Sequence, residues 1–243
     1  MLIYNRKLSK QKPTGIIYTF MDINLDSISL IIRKLQELEQ IFQENKALIL
    51  TENDLKCQLF RLIYDLFPIS HETFSPDIKG CAVHSEVKFF DEDDKLTLVP
   101  DLIVVNTSNI SIYHSTEYEI IKHTPVYNSN PSKNFTIAGG AILIELKFCR
   151  DKNGINDTDI FNYQQDVDKM IRLKEIIENK NNGNEKVYGI FVAFNKTNLG
   201  ENKFQIFKNS NNHNDEIKIF YGTGMVDFAN TTKNPFNYID DQL

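Results

Sequence analysis

Apolar residues in this chain follow two different periods, and the switch between them divides it into elements. Ile28, Ile31, Leu35, Leu38 and Phe42 recur in alternating steps of three and four. That spacing predicts a helix from 26 to about 45, capped by Asp26 or Ser27. Such a narrow stripe fits a helix laid against its own core; the other reading is a dimerisation seam. Thr51-Glu-Asn-Asp54 has a capping-box pattern and opens a second helix. Its stripe is Leu55, Leu59, Leu62, Ile63 and Leu66, and Pro68 ends it.

Strand patterning follows. Residues 81–90 alternate, with Val83, Val87 and Phe89 on one side. Asp91-Glu-Asp-Asp94 reads as a solvated hairpin turn, leading into an apolar strand over 96–105. Residues 106–140 are a polar insertion, with an expected hairpin of 110–113 against 119–123 and a loop at 128–132. Residues 141–148 and 187–194 read as buried strands. Between them a helix is expected from about 159 to 179, capped by Asp157 or Thr158. Phe161, Val167, Met170, Ile171, Ile176 and Ile177 supply its apolar face. A strand–helix–strand order predicts a parallel pair with a right-handed crossover. Two short strands are expected at 204–207 and 217–221, joined by an Asn-rich loop over 209–214. Gly222-Thr-Gly224 reads as a turn. The arm at 1–21 shows no period beyond a short strand at 15–20, and 229–243 reads as a loose tail.

Two of the buried strands carry charge. Glu145 and Lys147 lie on one face of 141–148, opposite Ile144, Leu146 and Phe148. Charged side chains are seldom buried unless they are paired or bind a metal. The strand over 96–105 is interrupted once, by Pro100-Asp101. Together these residues give Pro-Asp followed by Glu-x-Lys. In this pattern, and in the elements that carry it, the chain resembles the PD-(D/E)xK nucleases of the restriction-endonuclease-like fold. The likeness covers most of 51–195, from Glu52 on the second helix to the helix holding Asp166 and Lys169.

That resemblance implies an α/β fold: a restriction-endonuclease-like mixed central sheet flanked by helices, with an N-terminal helical extension. It implies a catalytic set of Asp101, Glu145 and Lys147, with Glu52 as an auxiliary acid. Glu52 also has a plainer reading, an acid favoured by the helix dipole. Mg²⁺ would be held by Asp101, Glu145 and the backbone carbonyl of Leu146, and Mn²⁺ would substitute. Partial burial beside a metal would lower the Lys147 pKa. Glu86, Gln165, Asp166 and Lys169 are expected near substrate. Alternatively the helix residues belong to a solvated face, and Glu86 and His84 to a solvated sheet surface. His84-Ser-Glu86 also fits the H-x-E of zinc deaminases, but no P-C-x-x-C follows.

Composition narrows the options without deciding among them. The chain has 243 residues and a formal charge of −6, which argues against a protein that coats nucleic acid. A metal-dependent nuclease remains compatible, because the cation admits the phosphate. No membrane span or signal peptide is evident, and the three cysteines form no CxxC pair. Reduced thiols and a cytoplasmic location are expected. The expected organisation is an arm and helix over 1–50, a nuclease-like core over 51–221 and a tail over 222–243. The expected function is a metal-dependent DNA endonuclease, a hydrolase with a restriction or defence role. Two alternatives stay open: a catalytically silent nucleic-acid-binding or assembly module, and a nuclease acting on RNA or branched DNA. Expected partners are nucleic acid, a second copy of the chain through the helix at 26–45, and a protein activator.

Overall fold

A computed structural model describes residues 23–67, 71–73, 79–93, 95–112, 117–121, 124–128, 135–137, 139–180, 183, 185–211 and 215–227. The N-terminal arm, Pro68, the loop at 129–134 and the segment from 228 onward lie outside the described residues.

Helix α1 (Leu25–Glu44) starts slightly before the expected cap. The side chain of Asn24 accepts the N–H groups of Asp26 and Ser27 at 2.9 and 3.2 Å, freeing both expected cap residues to join the first turn. Helix α2 (Glu52–Tyr64) carries the expected capping box: Thr51 accepts from Asp54 N–H and Asp54 accepts from Thr51 N–H. Ile31, Leu35, Leu38 and Phe42 have no exposed surface. They pack with α2 and the sheet in one core, which corrects the dimer-seam reading of the 26–45 stripe. The helix is therefore part of the same packed body as the core assigned to 51–221. Gly224 permits this, because a β-carbon there would lie 2.6 Å from the Phe42 ring.

The strands are β1 (His71–Glu72), β2 (Lys79–Gly80), β3 (Val83–Ser85), β4 (Phe89–Phe90), β5 (Leu96–Leu98), β6 (Leu102–Val105), β7 (Ile110–Ile112), β8 (Glu117–Ile121), β9 (Thr124–Asn128), β10 (Phe135–Ile137), β11 (Ala141–Cys149), β12 (Val187–Asn195) and β13 (Ile217–Thr223). Five form a mixed sheet in the order β13-β12-β11-β6-β3. β11, β12 and β13 run parallel, while β6 is antiparallel to both β11 and β3. Helix α3 (Asp157–Lys180) links β11 to β12, and α4 (Glu201–Asn211) links β12 to β13. The molecule is thus mixed α/β, with a mixed five-stranded sheet flanked by helices. On one face Ile142, Ile144, Leu146, Ile190, Val192 and Phe194 meet α1 and α2. On the other, Leu143, Phe191 and Ala193 meet α3 and α4. No helix among the described residues is long and apolar enough to cross a membrane.

Several expectations are corrected. The strand over 81–90 breaks at Glu86, which adopts a positive φ of 53°. Only Val83–Ser85 joins the central sheet, while Phe89–Phe90 pairs with Leu96–Leu98. Glu92 and Asp93 between them form a turn, as expected, but Asp91 is buried, accepting from the N–H groups of Asp93 and Lys95 and from Thr97 Oγ1; Asp94 lies outside the described residues. In the insertion, Ile110–Ile112 pairs with Phe135–Ile137, and Glu117–Ile121 pairs with Thr124–Asn128. The chain there forms nested ladders in place of the expected 110–113 with 119–123 pairing.

Phe204 and Phe207 are helical, on α4. A strand would send residues three apart to opposite faces, whereas a helix turns both the same way. Both are buried: Phe207 packs on Tyr163 and Phe191, and Phe204 on Tyr163 and Tyr221. Asn209 to Asn211 close that helix and do not form a loop. Helix α3 is capped by Asn156, whose side chain accepts from Thr158 and Asp159 N–H. Phe161 is 63% exposed, and Tyr163 fills the core position expected of it. The expected turn at 222–224 is instead the end of β13 and its first following residue.

Candidate active site

Antiparallel pairing of β11 with β6 covers only Ala141 to Ile144, the last pair being Ile144 with Leu102. Asp101 would face Glu145 next in that register, but Pro100, just before it, has no N–H to continue a ladder. The second half of β11 is therefore open on the β6 side. Side-chain carboxylates take the place of the absent strand. Asp101 Oδ2 accepts the Leu146 N–H at 2.8 Å. Glu52 Oε2 accepts the Phe148 N–H at 3.3 Å. Within a strand the N–H and C=O of one residue point the same way, so the Leu146 carbonyl also looks out through this gap. The capping box that starts α2 fixes where Glu52 sits, one residue inside the helix.

Glu145 projects from β11 toward α3 and is 4% exposed. Pro100, Leu143, Met170 and Leu173 line a small apolar cavity beside it. Its Oε1 lies 3.0 Å from Lys169 Nζ and 3.5 Å from Lys147 Nζ. Burial pushes its carboxyl up to about 7; Lys169 opposes the rise, Asp101 adds to it and Lys147 opposes it. Asp166 joins the group from α3, 3.1 Å from Lys147 and 3.6 Å from Lys169. Asp166 and Lys169 share a helix face because they are three residues apart.

The expected lowering of the Lys147 pKa is what a bound metal would cause; the protein's own groups act the other way. Burial does oppose its charge, but Asp166, then Glu145, then Glu52 hold the ammonium above the usual lysine range. These carboxylates favour the charged form of Lys147, which suits it to act as an N–H donor.

The other expected residues divide. Asp166 and Lys169 are in the cluster. Gln165 is exposed and lies about 100° around α3 from Asp166, so it is not brought into the ion-paired group. Glu86 stands at the rim, where its Oε1 is 2.6 Å from Lys56 Nζ. His84 turns inward to the Cys81 carbonyl at 2.9 Å, and burial holds its imidazole below the usual range. It is half-buried on the edge strand β3.

Lys56 was not among the expected residues, yet its Nζ is 3.4 Å from Asp101 Oδ1 as well. A signal existed: Lys56 follows Glu52 by four residues and so shares its helix face.

No group of three or more His, Cys, Asp or Glu among the described residues forms a cation cage. Oxygen donors at and beside the gap include Asp101, Glu145 and the Leu146 carbonyl, with Glu52 two residues further along the edge. Two carboxylates with a carbonyl fit a hard cation that keeps several waters, as Mg²⁺ does. Comparison with protein-family models, curated proteins and solved structures found no match.

Proposed function

We propose that this chain is a Mg²⁺-dependent nuclease of the PD-(D/E)xK kind, built on a restriction-endonuclease-like core. One observation carries the reading. Asp101 and Glu145 are the next residues beyond the last β6–β11 pair, and Asp101 accepts the Leu146 N–H at the open strand edge. The run α2, β3, β6, β11, α3, β12 supports it: Glu52 opens α2, Asp101 immediately precedes β6, Glu145 and Lys147 lie on β11, and Asp166 and Lys169 lie on α3.

Asp101, Glu145 and the Leu146 carbonyl would hold the cation. When bound, it would neutralise the phosphodiester and lower the pKa of a coordinated water. The chain's own groups do the rest. Lys147, kept charged by Asp166, donates to the attacking water or to the phosphate oxygen beside it. Glu52 holds the β11 edge through Phe148 N–H and so keeps Lys147 and Glu145 in register. In-line attack would leave a 5′-phosphate and a 3′-hydroxyl, with DNA as the proposed substrate. The test is cleavage of plasmid DNA in Mg²⁺ by the intact chain and by Lys147→Ala. Cleavage by the first and not the second supports the reading; equal cleavage by both overturns it.

One observation favours a second reading, a silent binding or assembly module. Glu145 is paired with Lys169 and Lys147, and Asp101 with Lys56, so lysines already balance much of the carboxylate charge. The same assay separates the two readings, since a silent module leaves the plasmid intact.

A further inference from the structure

Lys56 has two anionic partners at unequal distance. Its Nζ is 2.6 Å from Glu86 Oε1 and 3.4 Å from Asp101 Oδ1. Its side chain is only 14% exposed, while that of Glu86 is 64% exposed. The two acids are also tied through the backbone, Glu86 N–H donating to the Asp101 carbonyl at 3.1 Å. Glu86 holds a left-handed φ of 53° to be there, a conformation that is costly outside glycine. The oxygens of Asp101 have separate duties. Oδ2 takes the Leu146 N–H, which leaves Oδ1 facing Lys56 and free to take a cation.

We propose that Lys56 is a positioning residue that competes with the divalent cation for Asp101 Oδ1. It shares its charge between Asp101 and Glu86, and when a cation arrives it gives up the longer Asp101 contact and keeps the Glu86 one. This rests on the metal-dependent reading above. An ammonium and a divalent ion repel each other at one oxygen, so each weakens the other's hold. Glu86 gives the displaced ammonium a second carboxylate close by, so the exchange needs only a small shift of one side chain. The Glu86 contact is already the shorter of the two, so only the Asp101 contact has to be given up.

Mn²⁺ titration calorimetry on the full chain tests the idea, with thermal unfolding to verify that each variant is folded. Lys56→Met should bind Mn²⁺ about fivefold more tightly. Glu86→Gln should bind it about threefold more weakly, because Lys56 then stays on Asp101. In the double variant the Glu86→Gln effect should vanish, since the lysine that transmits it is gone. Simple long-range attraction would instead make the two effects add. Additive effects, or unchanged or weaker binding by Lys56→Met, overturn the proposal. Lys56→Gln repeats the cycle if Lys56→Met does not fold. Asp101→Ala separates the two levels of the account. Mn²⁺ uptake that depends on Asp101, together with an additive cycle, sinks only the role of Lys56. No Mn²⁺ uptake by the unaltered chain sinks the metal-dependent reading and this one together.

Discussion

Asp101 Oδ2 accepts the Leu146 N–H at 2.8 Å, taking the place of a strand residue that Pro100 prevents from pairing. The same carboxylate therefore has a structural duty and a proposed catalytic one, and the two can be separated by substitution. Asp101→Asn keeps an acceptor for Leu146 but removes the charge. It should unfold in urea within about 0.5 kcal/mol of the unaltered chain and lose metal-dependent cleavage. Asp101→Ala should lose cleavage too, and about 1–3 kcal/mol of stability as well.

Glu52 bonds one residue pair further along the same edge, at Phe148 N–H. Glu52→Ala should slow cleavage about tenfold, less than the loss in Asp101→Ala. Single-turnover kinetics in saturating Mg²⁺ would measure it. An unchanged rate would leave Glu52 as a helix-start acid that favours the dipole.

Lys147 is held charged by Asp166, Glu145 and Glu52. Lys147→Ala should lower the cleavage rate by about 10²–10³-fold while Mn²⁺ still binds in calorimetry. Loss of Mn²⁺ binding together with cleavage would move the lysine's role from the reaction to the assembly of the metal site.

Glu145 makes stability depend on pH. Its carboxyl has a raised pKa of about 7 in the folded chain, against an ordinary 4.5. The folded state then keeps a proton that the unfolded state releases, so this contribution is complete below about pH 4.5 and lost as pH rises toward 7. Relative to Glu145→Gln, the unaltered chain should lose about 1–3 kcal/mol across that window. Millimolar Mg²⁺ should restore part of it at pH 7.5, because a bound cation favours the ionised carboxylate. Urea unfolding of both proteins at several pH values would show it. Parallel pH profiles for the two would contradict the raised pKa.

Much of this arrangement was legible in the sequence where local rules and tertiary packing agree. The run 141–148 is apolar on both faces except at Glu145 and Lys147, and it does become the central strand. Thr51 and Asp54 form their capping box because that motif is satisfied within one turn. The failures lie where long-range contact decides. Phe204 and Phe207 in a short segment fit either a strand or a helix until Tyr163 supplies the face that both must meet. The partner of Ile110–Ile112 depends on which later strand folds back, and nothing within 110–113 specifies Phe135–Ile137. Lys56 was missed for the same reason: its partners Glu86 and Asp101 are 30 and 45 residues away in the chain.

The most direct test is cleavage of a panel of supercoiled plasmid, linear duplex, single-stranded DNA and RNA. Each is incubated with the chain in Mg²⁺, in Mn²⁺ and in EDTA, with Asp101→Asn alongside. The account predicts cleavage of DNA in either metal, none in EDTA, and none by Asp101→Asn. Cleavage that survives in Asp101→Asn, or intact substrates under every condition, would contradict it.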